Sequence, residues 1–390
     1  MRNINSLIKD TEHLFKKIIE EGISEANPKI SLLSGQGSVV ISIIESINKD
    51  NSKYLISLIN NLIDQIIEII EADENPNSTY CNGLAGVGWL VLYLIEKKII
   101  KKKPKDFFSD IDLFLDRQLK HFIKTANLDL LHGALGIGLY FLKRRNYEVV
   151  DLLLCKFIEI ATENDGRLSF SYFDSYNFKT DVYDFGLAHG HSGILYFLNK
   201  CQKSGLKNPT IKKLKDGIIN FFLYNIKRHS SLSYFPSVIP KAEYDIIAYP
   251  PKESRLAWCY GDLTILYTLL NTSISDKNKL LNTQVEEYLI KLTERKSQAQ
   301  TNIIDPFFCH GTSGVGYIFL KTYQITGNEL YLKSANYWLE ETLKYIKNSD
   351  FSYNKNQNGL LSGMEGVYMF LNAMKKSTEV QTWDECLFLS

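Results

Sequence analysis

The sequence predicts an all-α protein, an α/α toroid in which seven inner and seven outer helices alternate along the chain. Three observations predict this fold class. A short glycine motif recurs seven times, an apolar segment of helical length follows each copy, and an amphipathic segment precedes it. Repeats of this kind bury their apolar faces against neighbouring repeats and so form one continuous array. We therefore expect one domain over residues 1–390, built from seven helix pairs, where length alone suggests two or three domains.

The glycine motif has the form x-x-Gly-x-x-Gly and sets the period of the array. Its leading glycines are Gly83, Gly133, Gly190, Gly261, Gly311 and Gly363, with a degenerate first copy at Gly35. We number the copies one to seven in chain order. In copy one the second glycine, Gly37, comes one residue early, and in copy five Thr264 replaces it. Because each motif precedes an apolar helix, all copies are expected at one end of the toroid, around a single mouth.

The segments after the motifs predict buried helices, and the segments before them predict surface helices. Residues 87–95 and 315–320 are apolar around nearly the whole helical circumference. Residues 54–71, 107–124 and 330–347 repeat apolar side chains at helical spacing and carry Lys, Asp and Glu on the other face. Strict alternation of these two helix types is what predicts an inner ring wrapped by an outer ring.

Strand patterns are scarce in this sequence. Apolar and polar side chains alternate clearly only at residues 168–173. We therefore expect a small extended insertion near residues 164–184 and no larger sheet.

Composition and charge exclude several classes of protein. The chain has 45 Lys and Arg against 44 Asp and Glu, which leaves a net charge of +1 and no large basic face for a nucleic acid. Six cysteines in 390 residues are too few for a disulfide scaffold. No apolar run is long enough to span a membrane, and the first residues lack the apolar core of a secretory signal. We therefore expect a cytoplasmic protein with reduced cysteines.

Cysteine and histidine are concentrated at two positions of the glycine motif. The position two residues before the leading glycine, called the thiol slot below, holds cysteine in three copies: Cys81, Cys259 and Cys309. The position immediately before the glycine holds histidine in three copies: His132, His189 and His310. The whole chain has only 7 histidines, so this concentration indicates a functional site at the mouth.

The thiols of copies five and six predict a metal site. These copies are consecutive around the ring, so Cys259, Cys309 and His310 are expected to meet. Two thiolates and one imidazole suit Zn²⁺, and three protein ligands with one open position are typical of a catalytic zinc. The alternative is two buried free cysteines and a capping histidine. Cys81 lies three copies away and is interpreted as a structural thiol. The cysteines with no partner motif, to which no role is assigned, are Cys155, Cys201 and Cys386.

These motifs resemble those of the LanC-type lanthipeptide cyclases. The residues that carry the resemblance are the Trp-Cys-Tyr-Gly at 258–261, the Cys-His-Gly at 309–311, the Ala-His-Gly at 188–190 and the repeated glycine motif. The similarity extends over nearly the whole chain. It implies an α/α toroid with one zinc ion at its mouth. It also implies an enzyme that adds a peptide cysteine thiol to dehydroalanine or dehydrobutyrine and so closes a thioether ring.

The resemblance assigns roles to seven side chains of this sequence. It implies zinc coordination, with one ion per chain, by Cys259, Cys309 and His310. It implies catalytic roles for His189, Asp129, Arg255 and Tyr260. The residue types are consistent with these implied roles: His189 can act as an acid or base, since imidazole titrates near neutrality, and Asp129 could orient it. The alternatives are a helix-capping histidine and a capping or ion-paired aspartate. His132 departs from relatives that often carry an acidic residue at this position, and no role is assigned to His191.

The resemblance also implies partners. A dehydrated precursor peptide is the expected substrate, and a dehydratase and a transporter are expected in a synthetase complex that would bring this cytoplasmic protein to the membrane periphery. Two alternatives stay open: addition of glutathione or another small thiol to dehydroamino acids, and a non-catalytic scaffold that binds peptides. The lysine-rich run at residues 97–105 is interpreted first as a solvated loop and second as a docking patch for an acidic leader peptide.

Overall fold

The structure of the chain is a computed structural model. It describes the residues in the ranges 4–22, 30–100, 107–174, 179–226, 233–244, 254–348 and 359–390. Most of the lysine-rich run, residues 101–105, lies outside these ranges, so its interpretation stays a prediction. None of the described helices is both long enough and apolar enough to cross a bilayer.

Seven apolar helices each begin directly after a leading glycine, as the sequence predicts. They are α2 (Gln36–Ile44), α4 (Leu84–Glu96), α6 (Ala134–Lys143), α8 (His191–Lys203), α10 (Asp262–Ser275), α13 (Thr312–Thr326) and α15 (Met364–Lys375). Every residue of α2 is buried, which fits a helix that packs on all sides. The leading glycine is the residue before the first helical turn in all seven copies.

Seven amphipathic helices alternate with the apolar ones. They are α1 (Ile4–Gly22), α3 (Ser52–Ala72), α5 (Phe107–Lys124), α7 (Tyr147–Ile160), α9 (Pro209–Asn225), α11 (Lys279–Leu292) and α14 (Glu329–Lys347). In α3 the buried side chains form one stripe at helical spacing: Leu55, Ile59, Leu62, Ile63 and Ile66. The predicted alternation of two helix types is therefore observed. A short helix, α12 (Gln298–Thr301), and two 3₁₀ turns complete the described helices.

The chain divides into two compact units. One comprises residues 1–115 and 305–390, and the other comprises residues 116–304. In the first unit α13 packs on α14 and on α15, and α1 packs on α15. In the second unit α10 packs on α8 and α11, and α6 packs on α7. The interpretation of the whole chain as one domain stays a prediction.

Short antiparallel strands lie where the sequence predicted an extended segment. Strands β1 (Thr162–Asn164) and β2 (Arg167–Ser169) pair with each other. Strands β3 (Tyr172–Asp174), β4 (Thr180–Asp184) and β5 (Val238–Pro240) form a second sheet in the order β3-β4-β5. β4 ends at the start of copy four, so this sheet fixes where the loop that carries His189 begins.

Four of the glycine-motif loops share a turn that begins six residues before the leading glycine. At this position, called the Asx slot below, a side-chain Oδ1 accepts the backbone N–H of the second residue along, at 2.6–3.2 Å. The residues that do so are Asn77, Asn127, Asp184 and Asp305. In three of these copies the backbone carbonyl of the Asx residue also accepts the N–H that follows the leading glycine. The turn thus fixes both ends of the loop.

Backbone hydrogen bonds join the thiol slots in three pairs of consecutive copies. The N–H of Leu33 donates to the carbonyl of Cys81 at 3.4 Å, and that of Cys309 donates to the carbonyl of Leu361 at 2.8 Å. The N–H of Ala188 likewise donates to the carbonyl of Cys259 at 3.1 Å. The backbone of the slot is therefore held by its neighbour, whichever side chain the slot carries.

Candidate active site

His189 and Asp129 form a short ion pair in the second unit. His189 Nδ1 lies 2.6 Å from Asp129 Oδ2. The other carboxylate oxygen of Asp129 accepts the backbone N–H groups of Leu131 and His132, each at 2.7 Å. These bonds orient the carboxylate toward the imidazole, which is 41% exposed and so can be reached by a substrate.

The surroundings of this pair hold it in the charged state. Burial by itself would lower the pKa of His189, but the hydrogen bond and charge of Asp129, with the charges of Asp184 and Cys259, raise it to about 9. Burial would raise the pKa of Asp129, yet the hydrogen bond and charge of His189 keep it below its usual value. The ring of His132 lies nearly parallel to that of His189 at 6.1 Å, and burial lowers the pKa of His132.

A small cavity of about 50 Å³ adjoins this ion pair. Polar groups in its wall include Asn127, Asp129, Tyr172, Asp184 and His189. Burial raises the pKa of Asp184 to about 6. The N–H of Gly186, which donates to Asp184 Oδ1 at 2.6 Å, acts in the opposite direction and lowers this pKa. The hydroxyl of Tyr172 donates to Asp184 Oδ2 at 3.3 Å. The cavity is polar and large enough for water, which could carry protons to or from His189.

His191, which the sequence left unassigned, is a structural residue. Its Nε2 accepts the backbone N–H of Phe170 at 3.0 Å, and its Nδ1 donates to the carbonyl of Asp184 at 2.5 Å. The ring stacks on Phe221 with centroids 4.2 Å apart. Burial lowers the pKa of His191 to about 4, so the imidazole is neutral and both nitrogens are occupied.

Copy five departs from the other copies at its Asx slot, which holds Arg255. The guanidinium donates to the backbone carbonyl of Asn302 at 3.0 Å and lies 5.7 Å from the ring centroid of Tyr260. Gly261 has φ of +104°, and a Cβ there would lie 2.1 Å from the carbonyl oxygen of Arg255. Only glycine fits this close approach. The loop therefore turns differently and presents an arginine where other copies use an Asx turn.

A buried ion pair holds the copy-five loop. Arg295 Nη1 donates to Asp262 Oδ2 at 2.9 Å, and the two side chains are 4% and 0% exposed. Asp262 also accepts the backbone N–H groups of Tyr234 and Phe235 at 3.1 and 2.9 Å. Arg295 donates in addition to the carbonyl of Ser254, at the start of the loop. The segment that carries Arg255 and Cys259 is thus anchored at both ends.

The three predicted zinc ligands, called the metal group below, belong to different units: Cys259 to the second, and Cys309 and His310 to the first. Cys259 is buried and its carbonyl accepts the N–H of Leu187 at 2.9 Å, while Cys309 is half-buried. His310 is half-buried, and its Nε2 lies 3.2 Å from Asp305 Oδ2. The joint role of Cys259, Cys309 and His310 as metal ligands stays a prediction.

The other cysteines are outside this group. Cys81, Cys201 and Cys386 are buried, and Cys155 is exposed. Burial raises the pKa of both Cys201 and Cys386, so these thiols stay protonated at neutral pH.

Comparison with known proteins defines the class to which this fold belongs. The chain superposes on nisin cyclase with a TM-score of 0.80 over 98% of both chains, at 19% sequence identity. The two chains therefore share a fold, and the predicted fold class, an all-α protein of the α/α toroid type, is confirmed.

The chain belongs to the lanthionine synthetase C-like protein family. The family model matches residues 5–119 and 30–388. The chain is 22% identical to the nisin biosynthesis protein NisC of Lactococcus lactis subsp. lactis over an alignment of 385 residues, which covers 93% of this chain and 89% of that protein. The resemblance drawn from the sequence motifs is therefore confirmed.

Proposed function

We propose that this chain is a zinc-dependent lanthionine synthetase, a cyclase that closes lanthionine and methyllanthionine rings in a precursor peptide. The observation that carries the proposal is the donor set of Cys259, Cys309 and His310, two thiols and one imidazole that could hold a metal ion. Membership of the lanthionine synthetase C-like family supports the reaction class. The thiol of a peptide cysteine adds to the β-carbon of dehydroalanine or dehydrobutyrine, and the α-carbon takes up a proton.

The donor set of the group fits one zinc ion per chain. Two thiols and an imidazole are typical zinc ligands, and three of them leave one position for a substrate thiol. When bound, zinc lowers the pKa of a coordinated thiol and so supplies a thiolate at neutral pH.

His189 and Asp129 supply the proton in this proposal. Because Asp129 raises the pKa of His189 to about 9, the imidazole is a cation at neutral pH and can donate to the α-carbon of the substrate. The water-sized cavity beside the pair provides a route by which His189 is reprotonated. Asp129 stays ionised and stabilises the cation through the 2.6 Å contact.

Arg255 and Tyr260 act on the negative charge that develops during addition. The guanidinium has five N–H donors, and one of them is used by the carbonyl of Asn302. Its remaining donors can stabilise the enolate oxygen of the dehydro residue. The ring of Tyr260 restricts the guanidinium through the cation–π contact at 5.7 Å.

The proposal includes the partners of such a cyclase. The substrate is a precursor peptide whose Ser and Thr residues have been dehydrated, so the chain acts after a dehydratase and before export. A complex with the dehydratase and a transporter would place a cytoplasmic cyclase at the membrane. These reactions together belong to the biosynthesis of a lanthipeptide antibiotic.

The reaction is tested with the purified chain, zinc and a dehydrated precursor peptide. We expect about one zinc per chain by elemental analysis. We expect the peptide to lose its reactive thiols without any change in mass, because cyclisation is an isomerisation. A thiol-alkylating reagent followed by mass spectrometry measures this loss.

The same assay separates the alternatives. If the enzyme joins glutathione to a dehydro residue and leaves the peptide thiols free, small-thiol addition replaces cyclisation. If the chain binds the peptide but catalyses neither reaction, it is a scaffold. Absence of zinc from protein purified without a chelator would contradict the metal site.

Replacing His189 by glutamine is expected to slow ring closure by about 10²- to 10⁴-fold, the usual contribution of a general acid. The variant should retain zinc, because His189 is not in the ligand group. The wild-type rate should fall as pH rises through about 9, where His189 loses its proton, and the variant should lack this fall. Rates measured from pH 6 to 10 check both points.

The sign of the pH effect follows from the charges that face His189. Asp129, Asp184 and the Cys259 thiol all favour the cation, and burial alone opposes it. The folded-state pKa is therefore above the ordinary value of 6.5, and the ion pair stabilises the fold fully below pH 6.5. This contribution is lost as pH rises through about 9. A wild-type rate that increased through pH 9 would contradict the acid role.

A further inference from the structure

Asp305 lies beside the candidate metal group and makes two different contacts. Its Oδ1 accepts the backbone N–H of Phe307 at 2.8 Å, which closes the Asx turn of copy six. Its Oδ2 lies 3.2 Å from His310 Nε2. The carboxylate is 18% exposed and the imidazole is 35% exposed, so the contact is partly shielded from water.

The turn itself does not require a carboxylate. In copies two and three the Asx slot holds Asn77 and Asn127, whose Oδ1 atoms accept the same backbone N–H at 2.8 and 3.2 Å. An amide oxygen is therefore sufficient for the loop. The loop geometry does not need the second oxygen of Asp305. This oxygen, Oδ2, contacts the imidazole of His310, a predicted metal ligand.

We infer that Asp305 is a positioning residue that orients His310 for the metal ion. A neutral imidazole has one N–H donor and one acceptor nitrogen. Because Nε2 lies 3.2 Å from a carboxylate oxygen, the tautomer with its proton on Nε2 is favoured, and in that tautomer Nδ1 carries the lone pair that a metal requires. Metal-ligating histidines commonly donate their other N–H to a carboxylate, which fixes the tautomer and the ring orientation. This inference rests on the proposed zinc site.

The Asp305→Asn variant tests the role because it retains the turn and removes the acceptor. In the variant the amide oxygen accepts the backbone N–H of Phe307, so the amide N–H₂ group faces His310 as a donor. Two donors cannot pair, so the variant favours the tautomer with the proton on Nδ1, where it blocks coordination. We expect zinc affinity to fall by about 10- to 100-fold, the usual effect of losing such a partner.

The matched control is Asn77→Ala, which removes the Asx turn of copy two and leaves copy six intact. It should lower the unfolding temperature of the zinc-free protein but leave zinc affinity unchanged. Asp305→Asn should do the reverse, with a wild-type unfolding temperature for the zinc-free protein. The zinc dissociation constant is measured by competition with a chromogenic chelator, without reference to cyclisation.

The outcomes separate this inference from the proposed function. A wild-type chain that takes up zinc, with Asp305→Asn of equal affinity, would overturn the positioning role alone. A wild-type chain that takes up no zinc would overturn the proposed function and this inference with it. Weaker binding in Asp305→Asn, together with unchanged binding in Asn77→Ala, supports the assignment.

Discussion

Replacing Cys309 by alanine is expected to abolish zinc binding and, with it, cyclisation of the peptide. The variant leaves two of the three ligands in the group of Cys259, Cys309 and His310. Since loss of a residue that only orients a ligand costs about 10- to 100-fold in affinity, loss of a ligand should cost more than about 100-fold. Elemental analysis and the thiol-alkylation assay measure the two losses separately.

The chain offers an internal control for this substitution. Cys81 occupies the same slot of copy two, is buried, and lies outside the metal group. Cys81→Ala should therefore retain both zinc and activity. Copy four carries alanine, Ala188, in the same thiol slot, so the slot accepts this side chain. In Cys309→Ala the backbone N–H of residue 309 keeps its bond to the carbonyl of Leu361. Full zinc content in Cys309→Ala would show that the proposed site is wrong.

Replacing Arg295 by methionine is expected to lower the free energy of unfolding by about 3–5 kcal/mol. The substitution leaves the carboxylate of Asp262 buried without its partner, at 0% exposure. It also releases the carbonyl of Ser254, so the loop that carries Cys259 should move and zinc affinity should fall as well. Urea unfolding of the zinc-free protein gives the first effect, and chelator competition gives the second.

Two further variants show which part of the loss arises from the buried charge. Lys156→Met removes an exposed pair with Glu159 and should leave the free energy of unfolding nearly unchanged. Adding Asp262→Leu to Arg295→Met removes the unpaired charge, but it orphans the N–H groups of Tyr234 and Phe235. The double variant should therefore recover part of the lost stability. A single Arg295→Met variant as stable as Lys156→Met would exclude this role for the ion pair.

Much of the fold could be predicted because its pattern is local and repeated. The amphipathic helix predicted at residues 107–124 begins and ends at those residues in the structure, and the helix predicted at 330–347 gains only one residue at its start. Helical periodicity over such lengths leaves little choice of secondary structure. Cys259, Cys309 and His310 could be identified as candidate ligands for a related reason, because cysteine and histidine recur at fixed positions of the glycine motif.

The supporting residues could not all be predicted. Nothing in the sequence pairs Asp262 with Arg295, because they are 33 residues apart and Arg295 belongs to no motif. Strand β5 is three residues long and pairs with a strand more than fifty residues earlier, which leaves no local pattern. The Asx slot did leave a signal: Asn or Asp recurs six residues before the leading glycine at positions 77, 127, 184 and 305. That recurrence would have identified Asp305.

The hydrogen bonds that join thiol slots of consecutive copies do not depend on the side chains that these slots carry. They run between main-chain atoms only, as from Ala188 to Cys259 and from Cys309 to Leu361. Such bonds form with different side chains in the slot, and leucine, alanine and cysteine all occur there. A reactive side chain can therefore be introduced or removed in one repeat while the main-chain hydrogen bonds are kept. The repeated backbone thus supports different side chains in different copies, and the proposed metal group uses two of the seven thiol slots.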